Sequence, residues 1–205
     1  MAATGLIESA TMNLLELLNA RRSVPARQLG EPAPHGETLD ALLAAAIRVP
    51  DHGKLVPWRL LLLRGDARTR LGDAISAIHR RNEPDVADKA LAKDRERFGF
   101  APLVVIVIAR IESEHPKIPA QEQLLSAGCV AHNLLIGAHA QGFAAQWLTG
   151  WPAYDREVAS LLGLAANERV IGFIHIGTAR EEVPERGRPE VSTILSEWHE
   201  PMAGA

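Results

Sequence analysis

Cysteine is almost missing from this chain. Cys129 is the only one in 205 residues, so no intrachain disulfide can form and a reducing compartment is the expectation. An excess of positive charge is missing too: Lys and Arg total 22 against 25 Asp and Glu, with no basic stripe. A formal net charge of -3 argues against nucleic acid as a partner. Long hydrophobic runs are also lacking. Leu103–Ala109, the most hydrophobic stretch, is far too short to cross a bilayer and reads as a buried strand. Met1 to Glu8 lacks the basic start and long apolar core of a signal peptide. These absences together predict a cytoplasmic protein with neither membrane nor nucleic acid as partner.

Familiar catalytic signatures are lacking as well. No Gly-x-Gly-x-x-Gly follows the first predicted strand, and no Gly-x-x-x-x-Gly-Lys-Ser/Thr occurs, which removes the usual dinucleotide and P-loop cradles. Neither His-Glu-x-x-His nor Gly-x-Ser-x-Gly is present. His132 and His139 stand seven apart on one predicted helix without a third ligand nearby, so no metal site is expected. Cys129, amid the small residues Ser126-Ala127-Gly128, is expected in the core rather than as a nucleophile.

What is present is an ordinary globular composition, 47% apolar and 23% charged, enough for one domain with a sizeable core. Thr11 or Asn13 is positioned to cap a first helix with Leu14, Leu15, Leu17 and Leu18 as its apolar face. Leu39, Leu42, Leu43, Ala46 and Ile47 follow helical spacing, with Pro50 as the stop. Trp58–Arg64 reads as a strand, and Leu71, Ala74, Ile75 and Ile78 mark another helix. Residues 80–97 are dense in charge and read as a solvated face or a lid. A long helix spans about Ala120 to Gln141 with the stripe Leu124, Ala127, Gly128, Ala131, Leu135 and Ala138, closed by Gly142. Strands are expected at 143–149 and 169–177, with a short helix capped by Asp155 between them. About four strands separated by five or more helices argue for a layered α+β or α/β arrangement.

Two cationic stretches stand out. Arg21-Arg22-Ser23, where the first helix gives way to Pro25, offers guanidiniums and a hydroxyl suited to an anion. The arginines equally suit the negative end of the helix. Arg48, His52 and Lys54 lie in a loop stiffened by Pro50 and Pro57 before Trp58, and this is either a ligand loop or a solvated connection.

The order of these elements resembles the nitroreductase family of flavoproteins, and within it the small YdjA-like branch. The likeness rests on a leucine-rich helix ending in Arg21-Arg22-Ser23, on Arg48-Val49-Pro50-Asp51-His52, and on Pro57-Trp58 before a strand. Ser126–Cys129, Ala140–Phe143, Trp147-Leu148-Thr149-Gly150 and Gly172–Thr178 follow in the same order. The resemblance covers residues 12–180 and implies an FMN-binding domain there; the extension 181–205, charged and proline-bearing with little but Trp198 to bury, is expected to pack on the partner subunit. The resemblance also implies an α+β three-layer sandwich with a mostly antiparallel central sheet, in an intertwined homodimer with FMN at the subunit interface.

Carried over by position, Arg21, Arg22 and Ser23 hold the FMN phosphate and the polar flavin edge. Arg48 and His52 contribute from the other subunit, and Trp147, Leu148 and Thr149 line the cofactor. Gly137, Ala138, His139, Ala140, Gln141 and Gly142 match the stretch assigned to NAD(P)H. Leu148 replaces the branch's arginine and Val56 replaces a common glutamine, and Arg180, Arg186 or Arg188 are available to compensate. The implied activity is hydride transfer from NAD(P)H through flavin N5 to a small-molecule electron acceptor, nitroaromatic or quinone-like, in ping-pong order. No catalytic side chain is assigned, because hydride transfer needs no protein acid or base. A flavin-binding protein without efficient turnover, or a specialised flavin enzyme of the same family, stays open as the alternative.

Overall fold

The strand Leu103–Arg110 lies at the centre of the molecule, buried on both faces along nearly its whole length. This is why its sequence is a continuous run of branched apolar residues rather than an alternating one. The structure is a computed structural model, which describes residues 13–200. Thr11, the Met1–Glu8 stretch, residue 12 and residues 201–205 lie outside the described residues.

In chain order the elements are α1 (Leu14–Ala20), β1 (Leu29–Gly30), α2 (Gly36–Ala46), β2 (Trp58–Arg64), α3 (Asp66–Asn82) and α4 (Asp88–Glu96). Then come β3 (Leu103–Arg110), α5 (Ala120–Ala140), β4 (Ala144–Leu148), α6 (Arg156–Leu161) and β5 (Glu168–Ala179). The sheet runs in the order β1-β5-β3-β2, and β4 also pairs with β5. Every one of these pairings is antiparallel.

Alternate residues of β3 feed two cores. Leu103, Val105, Val107 and Ala109 meet α2 and α5 through Leu39, Leu42, Ala131 and Leu134. Val104, Ile106 and Ile108 meet Leu71, Ile75 and Ile78 of α3, Val158 of α6, and Phe98. The result is helices, sheet, helices: the α+β three-layer sandwich.

Several sequence expectations change in detail. The second helix ends at Ala46, before Pro50, and its stripe narrows: Leu39, Leu42 and Ala46 are buried while Ile47 is exposed. The charged stretch 80–97 is largely a solvated helical face. It completes α3 and forms α4, which buries Leu91 and Asp94, and Gly72 lets the two helices touch, since a Cβ there would meet Arg95 O at 2.1 Å. The two-residue β1 was not expected. Cys129 is exposed, because the sheet-facing stripe of α5 runs through Ala127, Val130, Ala131 and Leu134 and leaves position 129 outside.

α1 has a capping box: Asn13 Oδ1 accepts from Glu16 N at 3.0 Å while Glu16 Oε2 accepts from Asn13 N at 3.0 Å. Yet much of its leucine face is uncovered among the described residues: Leu17 is half-buried, but Leu14, Leu15 and Leu18 are exposed, Leu15 at 71%.

Candidate functional site

The segment after α1 is strung along the edge of the sheet. Ser23 makes a parallel bridge with Ala145, and Val24 N donates to Ala145 O at 3.2 Å. Ala26 N donates to Gln146 Oε1 at 2.6 Å. These bonds fix where Arg21 and Arg22 stand, at the C-terminal end of α5. The chain leaving β5 returns to the same place, since Arg180 N donates to Gln28 O at 2.9 Å and Gln28 Nε2 to Glu181 Oε2 at 3.2 Å.

Two adjoining cavities form there. The smaller, about 150 Å³, is walled by Arg21, Arg22, Ser23, Val183, Arg186 and Arg188. Arg21 is held below the usual guanidinium range, first by burial and then by repulsion from Arg188, Arg22 and Arg186. These like charges are held together by the fold and by the Glu185 carboxylate, which contacts Arg22, and a bound anion relieves them further. Arg22 Nη1 donates to Asn19 O at 2.5 Å and to Arg21 O at 3.1 Å, so this arginine does also cap its helix.

The larger cavity, about 450 Å³, shares Arg22 and Val183 with the first and adds Val24, Leu135, His139, Gly142, Phe143 and Arg180. His139 Nε2 is buried without a partner. Burial first, then Arg21 and Arg22, push the imidazole below its ordinary pKa, towards the neutral form. Of the 137–142 stretch, His139 and Gly142 line this cavity. Gly137 instead allows α2 to approach, where a Cβ would meet Leu42 Cδ1 at 2.6 Å. Ala138 is buried, Ala140 is exposed, and Gln141 Nε2 donates to Thr38 O at 3.0 Å. Gly142, at φ 82°, turns the chain into β4.

Trp147 lies apart from these cavities. Its indole stacks over Gly172, where any Cβ would come within 2.0 Å of Nε1, and donates to Ile171 O at 3.2 Å. It walls a third, mostly apolar groove of about 730 Å³ with Leu124, Gly128, Ala159 and Leu164. Leu148 and Thr149 are half-buried at the end of β4.

Arg48 and His52 line neither cavity: His52 lies beside Glu122 in the first turn of α5, and Arg48 beside Asn133, past the middle of that 21-residue helix. Their loop is strapped to that helix. His52 Nδ1 lies 2.7 Å from Glu122 Oε2, Ser126 Oγ donates to Pro50 O at 2.9 Å, and Asn133 Nδ2 donates to Arg48 O at 3.2 Å. Asp51 turns the loop by accepting from Leu55 N at 3.1 Å and Val56 N at 3.0 Å. The turn is strained, because Lys54 and Val56 both have positive φ, at 56° and 49°, which is costly for a β-branched residue. The structure therefore brings Arg21, Arg22, Ser23, His139 and Gly142 together in one chain and leaves Arg48 and His52 elsewhere.

A buried polar group behind the sheet went unread in the sequence. Asp94 pairs with His79 Nδ1 at 2.5 Å and accepts from Trp151 Nε1 at 3.0 Å. Nearby His175 is fully buried against Phe98, has no partner on either nitrogen, and is pushed down to about 3, chiefly by burial and then by Arg97. The bonds within this group join α3, α4 and the Trp151 turn across long sequence gaps, so no local pattern marks it. Among the described residues no cluster of three metal-ligating side chains exists, and no helix is long and apolar enough to cross a membrane.

A sheet of this topology between two helical layers defines a known class of fold. A nitroreductase-like family protein of Bacillus cereus superposes with a TM-score of 0.74 at 23% identity, over 91% of this chain and 96% of that one. A Desulfovibrio desulfuricans protein, described as a "putative nitroreductase in complex with FMN", superposes at 0.69 with 21% identity, over 91% and 97%. The model of the nitroreductase family matches residues 18–178, and the chain belongs to that family of oxidoreductases. Its similarity to the Escherichia coli (strain K12) protein named "Putative NAD(P)H nitroreductase YdjA" is 37% identity over 169 residues, 82% of this chain and 88% of that protein.

Proposed function

We propose that the chain is an FMN-dependent oxidoreductase that uses NAD(P)H to reduce nitroaromatic, quinone or similar acceptors. The observation that carries the reading is the cradle of Arg21, Arg22, Ser23, Arg186 and Arg188. Its donors suit a phosphate monoester: guanidinium forks and a hydroxyl around a small cavity, with a larger, partly apolar space alongside. FMN, when bound, supplies the two-electron relay, taking hydride at flavin N5 from NAD(P)H and giving it to the acceptor in ping-pong order.

In this reading Arg21, Arg22 and Ser23 hold the phosphate, joined by Arg186 and Arg188 from the returning chain. Val24, Leu135 and Phe143 keep water from the adjoining space. His139, held towards its neutral form, offers a ring nitrogen without adding charge. Leu148 and Thr149 border the ring from the end of β4, and Trp147 contributes through its backbone alone, since its indole is held against Gly172. The FMN-binding domain is residues 12–180.

The reading includes a homodimer, in which Arg48 and His52 of a second copy complete the site. Support comes from the apolar groups that this chain leaves uncovered: the α1 leucines, Leu125 on α5, and Trp198, which is 82% exposed in the tail. The extension begins on this chain's own cradle, through Val183, Arg186 and Arg188, and its later part, with Trp198, packs on that second copy.

The test is the visible spectrum of the purified protein before and after anaerobic NADH or NADPH. A flavin band that bleaches, then recovers on adding a nitroaromatic or quinone, is the expected result. Absence of flavin even after incubation with FMN refutes the reading.

A further inference from the structure

We propose that Glu185 is a tethered competitor for the arginine cradle and sets the charge a ligand must carry to occupy it. The inference rests on the phosphate-holding role given above to Arg21, Arg22 and Ser23. Glu185 Oε2 contacts the Arg22 guanidinium, and Oε1 lies 3.7 Å from Arg188 Nε. The same Oε1 accepts from Arg186 N at 3.0 Å. One carboxylate thus engages a guanidinium on each wall of the cavity, as an oxygen of a bound anion does. Arg21 is left to Ser23, with Nη1 3.4 Å from Oγ.

Two features make Glu185 displaceable rather than structural. Its side chain is 51% exposed against 27% for Arg22, so the pair is screened and weak. It is also carried by an irregular segment, so rotation of one side chain frees the Arg22 guanidinium. A monoanion entering the cradle merely exchanges one negative charge for another. A phosphate monoester above its second pKa brings close to two and displaces the carboxylate. Glu185 therefore favours dianionic monoesters over diesters and carboxylates. The opposing possibility is that Glu185 orients Arg22 and Arg188 for the ligand, and then its removal weakens binding.

The experiment titrates the full chain, freed of flavin, with FMN, with riboflavin 4′,5′-cyclic phosphate (a monoanion) and with riboflavin. Wild type is compared with Glu185→Gln and with Glu197→Gln, which makes the same charge change at an exposed residue outside the cradle. Glu185→Gln is expected to bind FMN roughly two- to five-fold more tightly. The gain for the cyclic phosphate is at least as large, riboflavin shows none, and all gains shrink in high salt. Unchanged or weaker FMN binding by Glu185→Gln, or an equal gain in Glu197→Gln, overturns the proposal. Failure of the wild type to distinguish FMN from riboflavin is a separate result, and it removes the phosphate assignment itself.

Discussion

The two cationic regions of this protein are built in opposite ways. Arg21-Arg22-Ser23 is tied to β4 by a bridge and by backbone bonds, and the chain beyond β5 adds Arg186 and Arg188 around one small cavity. The Arg48–Lys54 loop is held only at its back, by Asp51 and by α5 side chains, and it presents Arg48, His52 and Lys54 to solvent. The first is a cavity that one chain assembles. The second is a strained, exposed turn whose His52 is paired with Glu122 of α5. Position in the fold, rather than charge count, separates the two.

The sharpest way to break the comparison is to disable each region in a different chain. Arg22→Ala is expected to weaken FMN binding about 10- to 100-fold with little loss of fold, read by flavin fluorescence titration. If Arg48 and His52 serve the partner's site, refolding a mixture of Arg22→Ala and Arg48→Ala chains regenerates some wild-type-like sites in the heterodimers. A mixture with no tight sites would place both regions in the same chain's site. Next in size, Asp51→Ala strands Leu55 N and Val56 N and should lower stability by about 1–3 kcal/mol in denaturant titration, leaving the arginine cluster around Arg21 intact. Val56→Gly relieves a left-handed β-branched residue and should come out neutral to about 1 kcal/mol more stable, and a clear loss would show that the valine side chain matters more than the strain.

The smallest effect is in pH. His139 is depressed in the folded protein, so its contribution is complete above the unfolded pKa of about 6.5 and is lost as pH falls towards the folded value. Stability should therefore drop more between pH 7 and 5 in wild type than in His139→Gln. His175, pushed down to about 3, acts in the same direction over a wider window, so the comparison must hold it constant.

Local pattern carried a large share of this structure. β2 was readable to the residue, because Pro57 and Gly65 punctuate a run of strand formers. α5 was readable from its small-residue stripe and its terminal glycine. What stayed hidden was set by distance along the chain. β1 is two residues long and exists only because β5 pairs with it. The burial of Asp94 depends on Trp151 and His79, which no local period connects to it. Arg186 and Arg188 were readable as candidates to replace a lost contact, but nothing within their own segment marks them as neighbours of Arg21. Glu185 looked like one more surface acid. Cys129 misled because its small neighbours suggested burial, whereas the helix phase decides which side faces the sheet.

β5 pairs with β1, β3 and β4, so three strands made earlier depend on the last strand of the described sheet. A growing chain that stops short of Glu168 leaves one side of the very hydrophobic β3 without its hydrogen-bonding neighbour. Such an open edge invites pairing with other chains, so this protein should need protection until its final strand has emerged. Closure at such long sequence separation also makes folding slow compared with a helical bundle of equal length.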